Sequence, residues 1–136
     1  MALILGKSLA SASRMSTYAS RADELQQRLI AFAVRIVELS AQLPRTQHGR
    51  HISMQILRSG TAPAANYGEA RAAESRPDFI HKLRIVLKEL NETSVWLEII
   101  GKSSMATPHK IRALIAENQE LCRILGASVR TARAAD

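Results

Sequence analysis

Apolar residues recur every three or four positions along most of the chain, which is the spacing that places side chains on one face of an α-helix. The clearest run lies between Arg21 and Leu43. The helix that it predicts ends there, because a residue that precedes a proline, here Pro44, is disfavoured in the α conformation. Its inward positions are Leu25, Leu29, Phe32, Ile36, Leu39 and Leu43. A seam of this length predicts a helix that packs into a bundle.

Three more helices follow from similar patterns. The second is predicted from about His51 to Ala73. Ser75 suits the N-cap of the third helix, Gly101 suits its C-terminal cap, and Thr107 followed by proline suits the start of the fourth. The connections are short, and no segment alternates like a strand. The predicted fold class is therefore all-α: an antiparallel, up-down-up-down four-helix bundle over residues 21–132, preceded by a disordered or poorly ordered tail at residues 1–20.

The second predicted helix carries a proline in its interior. Pro63 has no N–H to donate to the carbonyl of Ser59, so we predict a kink there. Gly60 and several alanines surround it, and such small side chains let a neighbouring helix come close. Two interpretations stay open. The helix either only packs tightly, or its freed carbonyl forms a ligand or partner surface with Asn66 and Glu69 beside it.

The composition favours helices and excludes several classes of protein. Aromatic residues are few, and no stretch approaches the ~18 apolar residues of a membrane span. The single cysteine, Cys122, excludes an internal disulfide. The N-terminal residues lack the pattern of a signal peptide, so we expect a cytoplasmic protein without a membrane contact.

The formal net charge of +7 favours an acidic partner such as RNA. Residues 45–76 carry five arginines against two glutamates, and further cations follow in the third helix. Guanidinium groups can hold phosphates by paired hydrogen bonds, although the chain lacks an aromatic platform for unpaired bases. The candidate nucleic-acid contacts are Arg45, Arg50, Arg58, Arg71, Arg76, Lys82, Arg84 and Lys88. The alternative is a solvated basic surface without a ligand.

The sequence contains no pattern that points to catalysis. The Glu-x-x-His pair of di-metal bundles is missing, as are a phosphate-binding glycine loop and a Ser/His/Asp arrangement. Asp78-x-x-His81 and His48-x-x-His51 have spacings compatible with a metal, but each pair stands alone. We therefore predict no enzyme activity, no cofactor and no metal site.

Near the end of the third helix, apolar residues spread around almost the whole circumference. A helix that is apolar on every side has to be covered from more than one direction, so we predict a contact between subunits there. The candidate interface residues are Val95, Trp96, Ile99 and Ile100.

Two consecutive motifs make the sequence similar to a known family. The stretch LRSGTAPAANYGEA, followed by ESRPDFIHKLRIVLKELNETSVWLEII, resembles the four helix bundle proteins encoded in intervening sequences of bacterial 23S ribosomal RNA. Thr61 and Ala62 depart from the family pattern, and the resemblance spans about residues 22–126. The matching positions are Leu57, Arg58, Ser59, Ala65, Asn66, Glu69, Ala70, Ser75, Asp78, Phe79, Ile80, Lys82, Leu83, Leu87, Lys88, Glu89 and Trp96.

The resemblance implies an antiparallel bundle that assembles as a homo-oligomer, with ring-shaped pentamers as the model, and it implies no catalysis. It also implies a relation to the accessory protein of diversity-generating retroelements, a basic pentamer that binds nucleic acid. We therefore expect a non-enzymatic, basic homo-oligomer that acts as a scaffold or adaptor and contacts RNA or a ribonucleoprotein. The alternative is a structural or protein-partner module without a nucleic-acid role.

Overall fold

The computed structural model describes the backbone of residues 2–135 and the side chains of residues 20–135. Four helices make up this part of the chain: α1 (Ala2–Gln42), α2 (Gln47–Arg71), α3 (Arg76–Lys102) and α4 (Pro108–Ala134). No strand occurs in it, so the predicted all-α, four-helix fold is confirmed. None of its helices is long and apolar enough to cross a membrane.

Helix α1 begins earlier than the hydrophobic pattern predicts. It runs from Ala2 through Arg21 without a break, whereas the pattern placed its start at Arg21. The preceding residues are mainly alanine, leucine, serine and lysine or arginine, and they include no proline that would stop a helix. The side chains of residues 1–19 lie outside the described part, so a tail distinct from the bundle stays a prediction.

Local hydrogen bonds set the ends of the other helices. The predicted N-cap of α3 is confirmed, because the hydroxyl of Ser75 accepts a hydrogen bond from the Asp78 N–H at 3.2 Å. Helix α2 starts at Gln47, before the predicted His51, since the Thr46 hydroxyl accepts from the Gly49 N–H at 3.1 Å.

The end of α3 differs from the prediction. Gly101 lies inside the helix, and the reversal falls instead at Ser104, whose φ of 55° is in the left-handed region. The N–H of Ser104 donates to the carbonyl of Gly101, and the N–H of Met105 donates to that of Ile100. These two hydrogen bonds form a Schellman motif, which satisfies carbonyls at the end of the helix.

Each helix contributes one apolar stripe to a common core. Leu29 and Ile36 of α1, Ile56 of α2 and Leu83 of α3 are fully buried, and Leu121 of α4 joins them. Helices α1 and α2 come very close at Gly60, where an added Cβ would lie 2.6 Å from Cγ2 of Ile36. Gly60 therefore allows α1 and α2 to pack closely.

Contacts between consecutive helices run in opposite sequence directions. In the first pair, Ser53 donates to the carbonyl of Ser40 at 2.9 Å, whereas Gln26 donates to that of Ala64 at 2.9 Å. This is the order of antiparallel neighbours. Helix α2 is helical on both sides of the buried Pro63, and a kink at this residue stays a prediction.

Candidate interaction surfaces

The eight cations predicted to contact nucleic acid do not form one free surface. Arg58 donates to Glu92 at 2.7 Å and lies 3.7 Å from Glu89, so two carboxylates of α3 offset its charge. Two more of the eight are paired in the same way. These pairs are Lys82 with Glu69 at 2.9 Å and Arg71 with Asp23 at 2.6 Å. Ion pairing thus reduces the positive charge where α2 meets its neighbours.

The predicted cations are also spread along the bundle. Arg50 lies at the start of α2 and Arg71 at its end, which at 1.5 Å per residue separates them by roughly 30 Å. Arg45 belongs to the loop before α2, while Arg76 opens α3 and donates to the carbonyl of Ala135 at 2.9 Å. The structure therefore does not bring the predicted set together.

A different group of cations lies together on the outer side of α3 and α4. All six are exposed, and separations of 4, 7, 11, 14 or 18 residues bring positions on one helix to within about 40° of each other. We call this group the basic surface. Its members are Arg84, Lys88 and Lys102 of α3 and Arg112, Arg123 and Arg130 of α4.

Contacts between the two helices place both rows of the basic surface on one side of the bundle. Asn91 follows Arg84 by two turns, and its Oδ1 lies 3.6 Å from Sγ of Cys122, the residue before Arg123. At the other end of the helices, Gly101 packs beside Ile111, which precedes Arg112. The two rows thus run side by side.

Few opposing charges accompany the basic surface. Of its six cations, only Arg123 has an ion-pair partner within residues 20–135, namely Glu120 one turn earlier. The other carboxylate on this side is Glu98, which is exposed. Sequence reasoning included Arg84 and Lys88 but missed the α4 arginines. Their spacing of eleven and seven residues along one helix was the available signal.

The exposed large apolar side chains gather on the opposite side of the bundle. Among residues 20–135 six such side chains are exposed, and five of them lie on α1 and α2. We call these five the apolar surface: Ile30, Val34, Val37, Met54 and Leu57.

The apolar surface is continuous across both helices. Spacings of three and four residues place its members on one side of each helix. The hydrogen bond from Ser53 of α2 to Ser40 of α1 places Met54 beside the residues that follow Val37 in α1. Thr61 lies one turn after Leu57 on α2, and its hydroxyl donates a hydrogen bond to the carbonyl of Leu57 at 2.6 Å. The exposed Arg50 and Arg58 lie one turn before and one turn after Met54 on α2.

The interface predicted on α3 is only partly available. Ile100 has no exposed area and belongs to the core, so its place in an interface is wrong. Trp96 is half-buried against His51 of α2, with ring centroids 6.2 Å apart at 77°. Ile99 is half-buried and packs against the core, while Val95 is exposed. Ile100 was wrongly placed in the interface because the core stripe of α3 continues from Leu97 to Ile100, three residues later.

A groove of about 1180 Å³ lies between α1 and α4 and reaches the loop that joins α2 to α3. Several arginines line it, but most are held by groups of the same chain. Arg28 donates to both carboxylate oxygens of Glu117, at 2.9 and 2.7 Å, and Arg123 is paired with Glu120. Fewer arginines are therefore available to bind a ligand in the groove than the number that line it.

Neither a metal-binding cluster nor an activated cysteine is found among the described residues. No group of three or more His, Cys, Asp or Glu side chains among them could hold a metal ion. Burial raises the pKa of the Cys122 thiol, which leaves it mostly protonated at neutral pH and hence a weak nucleophile.

Comparison with known proteins identifies the family. The family model of the 23S rRNA-intervening sequence protein matches residues 21–127. This chain belongs to that family. A solved structure supports the assignment: a protein with unknown function from the S23 ribosomal protein family of Bacteroides thetaiotaomicron VPI-5482 is 40% identical. The match covers 77% of this chain and 97% of that chain, with a TM-score of 0.73. No curated protein matches the sequence.

The family resemblance seen in the two motifs is thereby confirmed. A relation to the retroelement accessory protein stays a prediction. In this member of the 23S rRNA-intervening sequence protein family, Ser59 of the first motif lies where α2 packs against α3. Ser59 and Thr93 are both fully buried there, and their hydroxyls share a hydrogen bond of 2.9 Å.

The other motif residues do not use the carbonyl freed by Pro63. Asn66 donates to the carbonyl of Ala62 at 2.9 Å, and Glu69 accepts from Lys82. These contacts hold Asn66 against its own helix and Glu69 against α3. A ligand or partner surface formed by the freed carbonyl with Asn66 and Glu69 beside it stays a prediction.

Proposed function

We propose that the protein is a non-enzymatic, basic homo-oligomeric bundle that acts as a scaffold or adaptor and contacts RNA or a ribonucleoprotein. One observation carries the proposal: five of the six exposed large apolar side chains of residues 20–135 lie on α1 and α2, whereas the six exposed cations of the basic surface lie together on α3 and α4. A protein with surfaces separated in this way can associate through one of them and leave the other free for a second partner.

The apolar surface supports self-association. An exposed apolar patch is costly in water and commonly marks a protein contact. A second copy of the chain carries a surface of the same chemistry, which makes it a suitable cover. The family resemblance makes a pentamer the expected assembly.

The charge supports contact with RNA. The net charge of +7 attracts phosphates. The description of the matching family refers to 23S rRNA, which makes RNA the first polyanion to test. The alternative, a protein-partner module without a nucleic-acid role, draws support from the ion pairs that offset the cations of α2.

Two measurements on the full-length wild-type chain test the proposal. Light scattering at micromolar concentration should give the mass of several protomers. Binding to a structured RNA should weaken steeply as salt rises, because phosphate contacts release counterions. A monomeric mass contradicts the scaffold. Failure to bind RNA at 50 mM salt contradicts the RNA contact and leaves the protein-partner alternative.

A further inference from the structure

We infer that the basic surface of α3 and α4 binds the sugar–phosphate backbone of a nucleic-acid duplex, without reading its bases. This inference rests on the proposed function and adds the site and the class of nucleic acid. Of the eight contacts predicted from the sequence, the site keeps Arg84 and Lys88 of α3 and none from α2.

The layout of the basic surface matches separate stretches of phosphates. Its rows lie on two packed helices, whose axes are typically 8–10 Å apart. Four of the cations, Arg84, Lys88, Arg123 and Arg130, gather at one end of this side. The other two, Lys102 and Arg112, lie at the opposite end, about 20 Å away by the helical rise. Between them lie four uncharged residues, Asn91, Val95, Ala116 and Gln119, and one carboxylate, Glu98.

A rigid duplex carries phosphates on both edges of each groove, so two clusters at a fixed distance can contact two backbone stretches together. The two helices that carry the clusters are long and continuous, which holds the distance constant. A flexible single strand would gain less from this preorganisation, because it has to be ordered as it binds.

The chemistry of the surface also favours a duplex. Proteins that hold unpaired bases do so on aromatic side chains. Of the aromatic residues whose side chains are described, none lies on this side. Phe32 and Tyr67 are in the core, Phe79 packs against it, and Trp96 contacts His51 of α2. Backbone contacts from Arg and Lys remain, and these carry no base preference.

The cations are available for phosphate. Arg84, Lys88, Lys102, Arg112 and Arg130 have no ion-pair partner in the described part of the chain. A ligand therefore need not displace a carboxylate from them. By contrast, phosphate could reach Arg58 or Arg71 only in competition with Glu92 or Asp23. Unpaired arginines can donate two parallel hydrogen bonds to one phosphate.

The number of contacts predicts the salt dependence. With a slope of about −0.9 per phosphate, six contacts lower the affinity roughly two-thousandfold between 50 and 200 mM salt, and three contacts lower it about fortyfold. This difference is large enough to show which cations touch the backbone.

The experiment compares two triple variants of the full-length chain that remove the same charge. The test variant is R84Q/K88Q/R130Q, and the control is R35Q/R45Q/R50Q, which changes three exposed cations elsewhere. None of the six side chains is in an ion pair within residues 20–135, so both variants should fold, which circular dichroism checks. Each is titrated at several salt concentrations with a duplex RNA, a duplex DNA and a single-stranded RNA of equal length.

Wild-type protein should bind both duplexes with similar affinity and the single strand more weakly. The test variant should lose about three units of salt slope, because each phosphate contact contributes about one. The control should keep the wild-type slope. An equal loss in both variants, or a larger loss in the control, overturns the site. Tighter binding to the single strand overturns the duplex class. Failure of wild-type protein to bind any of the three overturns the RNA contact of the proposed function itself.

Discussion

The α1–α2 pair and the α3–α4 pair use the same inward pattern and differ in their outward apolar side chains. Both bury a stripe of leucine, isoleucine and valine in the common core. Outside, both pairs expose charged residues, but within residues 20–135 the first pair also exposes five large apolar side chains, Ile30, Val34 and Met54 among them, whereas the second exposes only Val95. The inward pattern decides the fold and does not constrain the outward positions. The outward positions therefore distinguish the surfaces through which the protein can act.

The contact between the two pairs shows why cations alone are a poor guide to a binding site. Arg58 of α2 faces Glu89 and Glu92 of α3, so its charge is offset inside the protein. Arg84 and Arg130 lie on the far side, where the described residues offer them no carboxylate partner. Arginines at these two places in the bundle therefore differ in how available their charge is to a ligand.

The largest expected effect concerns assembly. Val34→Glu places a charge in the apolar surface of α1, where Val34 is 50% exposed, and should convert the oligomer into smaller, still helical species. Val95→Glu is the matched control on α3, where Val95 is 56% exposed. It should leave the mass unchanged. Light scattering and circular dichroism measure both.

The reverse result would favour the interface predicted on α3. A Val95→Glu variant that dissociates while Val34→Glu keeps its mass would remove the apolar surface from self-association. Both variants replace a valine of similar exposure by glutamate. A difference between the oligomer masses of the two variants therefore cannot come from different burial of the valine that was replaced.

A smaller effect is expected where α1 and α2 approach each other. Gly60→Ala would bring a Cβ to 2.6 and 2.8 Å from two carbons of Ile36, a fully buried side chain that cannot turn away. The resulting overpacking should lower the free energy of unfolding by about 1–3 kcal/mol. Urea denaturation monitored by circular dichroism measures it.

Gly68→Ala is the control in the same helix. Its new Cβ would lie 3.5 Å from Oε1 of Gln26, an ordinary contact. Alanine is favoured over glycine inside a helix by roughly 0.5–1 kcal/mol, so this variant should be at least as stable as wild type. Equal losses for Gly60→Ala and Gly68→Ala would contradict the close approach at Gly60.

The features predicted well from the sequence are those that depend on nearby residues. Ser75 and Thr107 precede α3 and α4 as predicted, because caps and prolines act over one turn. Helix α1 was predicted too short, because Ser20 followed by Asp23 and Glu24 resembles a helix start, although the helix runs through these residues. The core stripes followed from apolar spacing, apart from Ile100, where apolar residues on several sides left the inward direction ambiguous.

The surfaces could not be predicted in the same way, because they depend on which residues meet across helices. The pairing of Arg71 with Asp23 joins positions 48 residues apart, and that of Arg58 with Glu92 joins positions 34 apart. Neither follows from a local pattern. The basic surface likewise combines two helices, and it is visible only once Asn91 and Cys122 fix their register.

The carboxylates that face Arg58 are expected to differ from each other. Glu89 is largely buried, its Oε2 lacks a hydrogen bond, and it lies 3.7 Å from Arg58. Burial, together with the nearby charge of Glu92, raises the pKa of Glu89 above its ordinary value. Glu92, in contrast, accepts a hydrogen bond from Arg58 at 2.7 Å. The two glutamates therefore contribute differently to stability.

The smallest expected effect is a pH dependence that Glu89→Gln removes. Because the pKa of Glu89 is raised in the folded state, the folded chain holds its proton more tightly than the unfolded chain between the ordinary pKa of 4.5 and the raised value. The contribution of Glu89 to the free energy of unfolding is thus greatest at low pH and falls as the pH rises through that window. At pH 7 Glu89→Gln should be at least as stable as wild type, and wild type should gain on the variant as the pH is lowered towards 4.5.

Glu92→Gln loses the ion pair with Arg58 and should be less stable than wild type at pH 7, by at most about 1 kcal/mol. Urea denaturation of the three proteins from pH 4 to 8 measures this, and a clear loss of stability in Glu89→Gln at pH 7 would show that its attraction to Arg58 outweighs the cost of its burial.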